Sequence, residues 1–278
     1  MGFDEFPPLL REIPDAPRHL YIRGEFPSEA YVPLAVVGSR KYSTYGKRMC
    51  EQLVASLAGY PVAIISGLAL GLDSIAHEAA LKAGLPTLAV MPSGLDDTAL
   101  YPASHRPLAR RILEKGGALI SEYEPEARPA RWTFLARNRI MAGLSRATLL
   151  IEAAEKSGTL VTARLALDYN REVLAIPHPL GSETGAGTNT FIRLGATLVR
   201  SGADILEALD IRVEEASPQM RLDLSDDERE VYEALYEPCE RGELSGRCVL
   251  PQQRVNVALS MLLIKGAVRE ELGKVLRN

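Results

Sequence analysis

The 278-residue chain is 46% hydrophobic and 24% charged, a balance that excludes a disordered polypeptide and fits one large domain, with or without a small companion. Three cysteines are too few, and odd in number, for a disulfide scaffold. The net charge of −4 conceals an asymmetry: residues 100–164 carry 11 basic and 6 acidic side chains, whereas 1–99, 165–211 and 212–278 each sum to −3.

No apolar run approaches the roughly 18 residues that span a bilayer. The opening MGFDEFPPLLREIPDAP has acids and prolines where a secretory leader needs basic and then apolar residues. The expectation is a cytoplasmic protein without a membrane span, whose basic zone serves a polyanion.

Residues 1–33, rich in proline and aromatics, are expected to wrap the core as an extended arm. From residue 34 the chain alternates apolar β runs with helical stretches. LAVVGS (34–39), VAIISG (62–67), TLAVMP (87–92), ALISEY (118–123), TLLIEA (148–153), EVLAIP (172–177) and ATLVRS (196–201) read as strands. Each is bounded by Gly, Pro or Ser, and most are apolar on both faces, as covered parallel strands must be. Helices are predicted at 44–58, near 72–83, 104–115, 133–144 and 160–169, the first capped by Ser43 or Thr44. Such alternation across 34–211 predicts a doubly wound, mostly parallel α/β sheet.

A composition break marks a linker at 212–222. Beyond it, Ser225 with Glu228 forms a capping box for one helix, and Pro251 opens a second that runs to Lys265. Gly266–Arg277 alternates like a hairpin turning near Gly273. Helix, helix and hairpin within 223–278 give a winged-helix-like domain.

Open α/β sheets bind ligands beyond the carboxyl ends of their strands. After the first strand of the alternation comes Gly38-Ser39-Arg40-Lys41, ahead of a helix. Glycine admits a ligand to the backbone, the helix N-terminus offers free N–H groups, and Arg40 adds a planar donor fork. The bland alternative is a tight turn with an exposed arginine. After the second strand Ser66-Gly67-Leu68-Ala69-Leu70-Gly71 makes another glycine-bearing turn, with Asp73 reading as a first-turn dipole partner.

Phe134-Leu135-Ala136-Arg137-Asn138-Arg139 lies inside the basic zone. Arg, Asn and Phe together supply phosphate forks, base-edge hydrogen bonds and a stacking surface; a solvated helix start is the competing reading. After the fifth strand, Lys156-Ser157-Gly158-Thr159 at a helix start makes an anion seat, with Thr162 one turn further. An ordinary capped loop would look similar. The joint occurrence of three such turns at one sheet edge is what favours a phosphate-binding surface.

Catalytic signals are weaker. The four histidines, His19, His77, His105 and His178, are dispersed without metal-ligand spacing. Cys239 and Cys248 have no histidine in their domain, so no metal is expected. Glu122/Glu124 and Glu152/Glu155 read as caps or salt-bridge partners. There is no dinucleotide glycine fingerprint, no G-x-S-x-G, H-E-x-x-H or Walker A pattern, so neither a cofactor nor a catalytic residue is assigned.

The ordered motifs G-S-R (38–40), S-G-L-A-x-G-x-D (66–73) with A-H (76–77), R-N-R-I-x-A-G-L-S (137–145), E-x-x-x-x-S-G-x-L-x-T-A-R-x-A (152–166) and G-T-N-x-x-I-x-x-G-A (187–196) resemble the DNA-processing protein A (DprA/Smf) family. The resemblance covers roughly residues 15–210. It implies an extended Rossmann-like domain, homodimerisation, and binding of single-stranded DNA for transfer to a RecA-type recombinase during natural transformation, without catalysis. Carried over by motif, Gly38, Ser39, Arg40, Ser66, Gly67, Phe134, Arg137, Asn138, Arg139, Lys156, Ser157 and Gly158 would line the DNA pocket. Leu70, Leu135-Ala136 and His105 depart from the usual family residues. The C-terminal unit resembles the winged helix many members carry, and its acidity favours a protein contact over DNA. The competing class is a lysine-decarboxylase-like phosphoribohydrolase acting on a nucleotide. That class wants P-G-G-x-G-T and a catalytic glutamate; here only Ser157-Gly158-Thr159 stands, with Glu152 and Glu155 as candidates.

Overall fold

Strands buried on both faces need helices on both faces, and the chain supplies them in a computed structural model. The structure describes residues 1–212, 224–265, 267–271 and 273–277. It divides into two compact units, Met1–Val213 and Glu214–Asn278.

In the first unit a short helix α1 (Pro8–Arg11) and strand β1 (Tyr21–Gly24) precede the alternation. Then follow β2 (Val32–Val37), α2 (Thr44–Ala55), β3 (Val62–Ser66), α3 (Leu72–Lys82), β4 (Thr87–Val90), α4 (Arg106–Glu114) and β5 (Ala118–Ser121). Two short helices, α5 (Arg131–Ala136) and α6 (Asn138–Leu144), lead to β6 (Ala147–Leu150), α7 (Thr159–Asp168) and β7 (Glu172–Ala175). The unit ends with α8 (Ala186–Arg193), β8 (Thr197–Leu198) and α9 (Gly202–Ala208). The strand order is β1-β5-β4-β3-β2-β6-β7-β8, parallel throughout except for β1 against β5. This is the doubly wound, mostly parallel α/β sheet expected from the alternation.

Successive residues of a strand point to opposite faces. Val37, Ile65 and Leu150 accordingly join one core with α6 and α7, while Val36, Ile64 and Leu149 join the other with α2 and α3. Both faces are covered, so every residue of β3, β4, β5 and β6 is buried.

Three local expectations change. Residues 1–33 are not simply an extended arm: Phe6, Leu10, Ile13 and Leu20 are buried in the core, and β1 pairs with β5 in register Tyr21↔Ser121 to Gly24↔Ala118. An uncovered β5 would present an open sheet edge. The helix expected at 133–144 divides at Arg137, which turns inward. The strand expected at 196–201 shrinks to the exposed pair Thr197–Leu198, since it ends the sheet.

His77 of α3 is wholly buried. Thr87 donates its hydroxyl proton to the Ile64 carbonyl, so His77 Nδ1, 2.7 Å from Thr87 Oγ1, is the donor between them. Burial drives this imidazole down to about 3, and the folded protein holds it neutral. The unfolded chain takes up that proton below pH ~6.5. Stability is therefore level above that pH and falls on acidification toward pH 3, by up to ~1.4 kcal/mol per pH unit from this group. In urea unfolding between pH 7 and 4.5, His77→Gln is expected to show a shallower decline than the parent; parallel declines would assign the acid sensitivity elsewhere.

The second unit contains α10 (Asp226–Ala234), β9 (Cys239–Glu240), α11 (Arg241–Arg247), α12 (Gln252–Ile264), β10 (Val268–Glu271) and β11 (Lys274–Arg277). Ser225 N donates to Glu228 Oε2 at 2.8 Å and Glu228 N to Ser225 Oγ at 3.4 Å, closing the predicted capping box. Helix α11 and strand β9, which completes a β10-β11-β9 sheet, add to the two helices and hairpin anticipated. Val231, Leu235, Leu244, Leu259, Leu262 and Val275 form its core. The anticipated linker 212–222 falls, apart from Arg212, outside the described residues. Among the described residues no helix is long and apolar enough to cross a membrane.

Candidate functional site

From β2 the chain builds outward through β3, β4 and β5, then crosses back to lay β6 on the other side of β2. Adjacent loops diverge at such a switch point and leave a crevice at the carboxyl ends of the strands. Here that crevice is a cleft of about 540 Å³. The loop after β2 (Gly38 to Lys41), the α5–α6 corner (Phe134, Arg137, Asn138) and the start of α7 (Ser157 to Thr159) wall it, with the buried Thr162 and with Thr184 also in its lining.

The loops are tied together by their own polar groups. Ser39 Oγ accepts from Lys41 N at 3.1 Å and donates to Lys41 O at 2.6 Å, making a tight hydroxyl turn. Thr159 Oγ1 donates to Gly38 O at 3.1 Å and accepts from Ser157 Oγ at 3.0 Å, which joins the β2 loop to the N-terminus of α7. Gly71 adopts φ +91° beneath the same loop. A Cβ there would come within 2.5 Å of the Ser39 carbonyl oxygen, so only glycine fits.

Arg137 is the floor of the cleft. Its guanidinium is buried and donates from Nη1 to Gly67 O at 2.6 Å and Val90 O at 2.5 Å, and from Nε to Asn138 Oδ1 at 3.1 Å. Its Nη2 lies 3.6 Å from the equally buried Asp73 carboxylate. Burial pushes the Asp73 carboxyl above its ordinary value, opposed by Arg137 and by backbone N–H groups of Ala69, Gly67 and Gly38. Gly67 carries no side chain for a physical reason: a Cβ would sit 2.0 Å from the Arg137 guanidinium.

The mouth of the cleft is different. Arg40 is exposed, has no ion pair among the described residues, and lies over the Phe134 ring at 5.3 Å. Phe134 in turn meets Tyr101 edge-on, with centroids 5.4 Å apart. Lys41 lines the cleft and Lys156 adjoins Ser157 of its wall, and both are exposed.

Of the residues singled out in the sequence, Gly38, Ser39, Arg40, Phe134, Arg137, Asn138, Ser157, Gly158, Thr159 and Thr162 come together on this cleft. Lys156 adjoins it. Ser66 is buried and bonded to the Val36 carbonyl, and Gly67 acts from beneath through Arg137. Arg139 is turned away: it pairs with Glu122 and approaches Asp15 of the N-terminal segment at 3.9 Å. The expectation of two adjacent phosphate forks thus gives way to one buried strut, Arg137, and one clamp on the N-terminal segment, Arg139. Tyr101 and Thr184 were not anticipated, because each lies in a loop without pattern and reaches the site only by folding.

Glu152, the candidate catalytic acid, is wholly buried. Its Oε2 accepts Ser43 N at 3.1 Å and Ser43 Oγ at 2.9 Å, at the N-terminus of α2. Ser43 Oγ accepts Gly46 N in turn, so the carboxylate completes a helix cap. Glu155 is exposed. Among the described residues no group of three or more His, Cys, Asp or Glu side chains is arranged to hold a metal.

A family described as DNA recombination-mediator protein A matches residues 1–210. The Smf protein of Escherichia coli is 44% identical over 204 residues, covering 73% of this chain and 54% of that relative. DNA processing protein DprA of Streptococcus pneumoniae is 39% identical over 203 residues, covering 73% of this chain and 71% of its own. The crystal structure of the Streptococcus pneumoniae protein superposes with a TM-score of 0.68 at 38% identity, over 73% of this chain and 70% of that one. DNA processing protein A of Helicobacter pylori, described for its single-stranded DNA binding mode, superposes at 0.67 with 31% identity, over 74% and 93%. The chain spans about half the length of the Escherichia coli and Mycobacterium tuberculosis relatives it matches. A match across the whole sheet unit, with relatives well above 30% identity, means that the chain belongs to the DNA recombination-mediator protein A family.

Proposed function

We propose that this chain is a cytoplasmic, non-catalytic single-stranded DNA-binding mediator. It holds incoming strands in the switch-point cleft and passes them to a RecA-type recombinase during natural transformation, acting as a homodimer. The observation that carries the reading is Arg40, an exposed guanidinium without a carboxylate partner among the described residues, poised over Phe134 at the mouth of a cleft flanked by Lys41 and Lys156. Cations neutralise phosphates and release counterions, while an aromatic face accepts any unpaired base. Bases paired within a duplex cannot reach such a face, so single strands are preferred. The name of the Helicobacter pylori relative agrees with this reading. The nucleotide-hydrolysing alternative is disfavoured by Glu152, whose carboxylate is spent on the cap of α2.

The test is fluorescence anisotropy of a labelled oligo-dT at several salt concentrations, with duplex and mononucleotide competitors. Arg40→Ala is expected to weaken binding and to flatten the log–log salt slope by about 0.7 for one lost phosphate contact. An unchanged slope would remove Arg40 from the interface, and displacement by a mononucleotide would favour the enzyme. The second unit is acidic, and the cations of α12 and its C-cap are engaged, Arg254 with Asp227 and Lys265 with Glu228. A chain ending at residue 217 is therefore expected to keep most of its oligo-dT affinity; a large loss in a folded truncation would assign DNA contacts to α12.

A further inference from the structure

Helix α5 turns one face into the protein and another to solvent. Thr133 is buried, its Oγ1 accepting from Ala130 N at 3.1 Å and donating to Ala130 O at 2.8 Å. Arg137, one turn further, is buried as well. Positions three or four apart share a helix face, so Arg131, Trp132 and Leu135 are left on the outward side. Trp132 is 62% and Leu135 52% exposed. Arg131 is exposed without an ion pair among the described residues, as is Arg128 in the preceding loop.

Tryptophan is on average a largely buried residue, and here most of it stands in water. Trp132 meets Tyr123 edge-on, with centroids 5.7 Å apart. Such a contact covers at most one face of the indole, and at this exposure the other is open to solvent. Leu135, one turn from Trp132, also lines the switch-point cleft, so the outward face of α5 is continuous with the cleft. The carboxylates of the preceding loop have other partners. Glu122 pairs with Arg139, and Glu124 bonds the Tyr21 hydroxyl, which also feels Glu126.

We propose that Trp132, flanked by Arg128 and Arg131, is a second stacking station for a single strand, outside the cleft, taking a base from the stretch that leaves the cleft past Leu135. The proposal rests on the single-strand reading above and lengthens the footprint of the strand on this chain. An indole face accepts any unpaired base, while neighbouring guanidinium groups neutralise the phosphates beside it. A duplex has no free base to offer the ring and gains only the weaker attraction of the two cations.

Trp132 is the single tryptophan of the chain, so intrinsic tryptophan emission reads this station alone. Saturating the full-length protein with unlabelled oligo-dT is expected to quench that emission. Trp132→Ala is expected to weaken oligo-dT binding by about five- to ten-fold through lost stacking. It should leave the binding of an equally long, wholly abasic strand, held through its phosphates, within about two-fold of the parent. Trp132→Phe keeps an aromatic face and should recover most of the loss, and thermal melting of each variant confirms that it is folded. Unquenched emission at saturation, oligo-dT affinity unchanged in folded Trp132→Ala, or equal losses on the two strands would each overturn the station while leaving the single-strand reading intact. Failure of the parent protein to bind oligo-dT overturns the single-strand reading itself.

Discussion

Replacing Arg137 by methionine is expected to destabilise the sheet unit by about 3–5 kcal/mol, because it strands a buried carboxylate. Asp73 lies 3.6 Å from the Arg137 guanidinium and is itself buried. The same guanidinium satisfies the carbonyls of Gly67 and Val90, which would be left without that donor. For a unit of this size the loss corresponds to a fall of roughly 6–20 °C in Tm. Removing the charge from both partners, with Asp73→Asn added to Arg137→Met, should recover part of the loss, since contacting residues couple non-additively. Chemical unfolding of the single and double variants measures this. A loss below about 1 kcal/mol for the single substitution would show that the pair does not hold the β3 and β4 loops together. Weakened DNA binding by such a variant would report a collapsed site floor, not a missing phosphate contact.

The second large effect is expected at Glu152. Glu152→Ala removes a wholly buried acceptor from Ser43 N and Ser43 Oγ, and with it an anion at the N-terminus of α2. Hydrogen bonds to a charged group contribute about 1.5–3 kcal/mol, and the abandoned Ser43 N–H adds a desolvation penalty. The fit is close: a Cβ on Gly46 would stand 1.9 Å from Glu152 Oε2, so α2 and the carboxylate are built around each other. The expected result is a stability loss of about 2–4 kcal/mol, read by urea unfolding. Unimpaired stability together with loss of a hydrolytic activity would reverse the argument and make Glu152 catalytic.

At Arg137 a sequence motif has a different physical role from the one its composition suggested, whereas Glu152 is the cap that its sequence reading allowed. Phe134 to Arg139 has the composition of a nucleic-acid-binding segment, and Phe134 does reach the mouth of the cleft. Nothing local to the chain distinguishes Arg137 from Arg139 or from Arg40. Their fates depend on partners at sequence separations of 47 and 70 residues for the Arg137 carbonyl contacts and 17 residues for Arg139 with Glu122. Arg40 stays exposed, with no carboxylate among the described residues folded onto it. Tyr101 joins Phe134 for the same kind of reason, from a loop whose sequence carries no periodicity.

What the sequence by itself determined is the class of the fold and which turns gather at one edge of the sheet. Short apolar runs bounded by glycine, proline and serine and alternating with helical stretches match covered parallel strands, and short connections between strands and helices favour a doubly wound sheet. The glycine- and hydroxyl-bearing turns then fall at its carboxyl edge. The capping box of Ser225 and Glu228 was legible too, because it is made by neighbours three residues apart. The tertiary structure alone decided which cations remain available. A guanidinium ends buried, clamped or free according to the carbonyls and carboxylates that distant segments bring to it, and burying such a charge is favourable only where those partners arrive together.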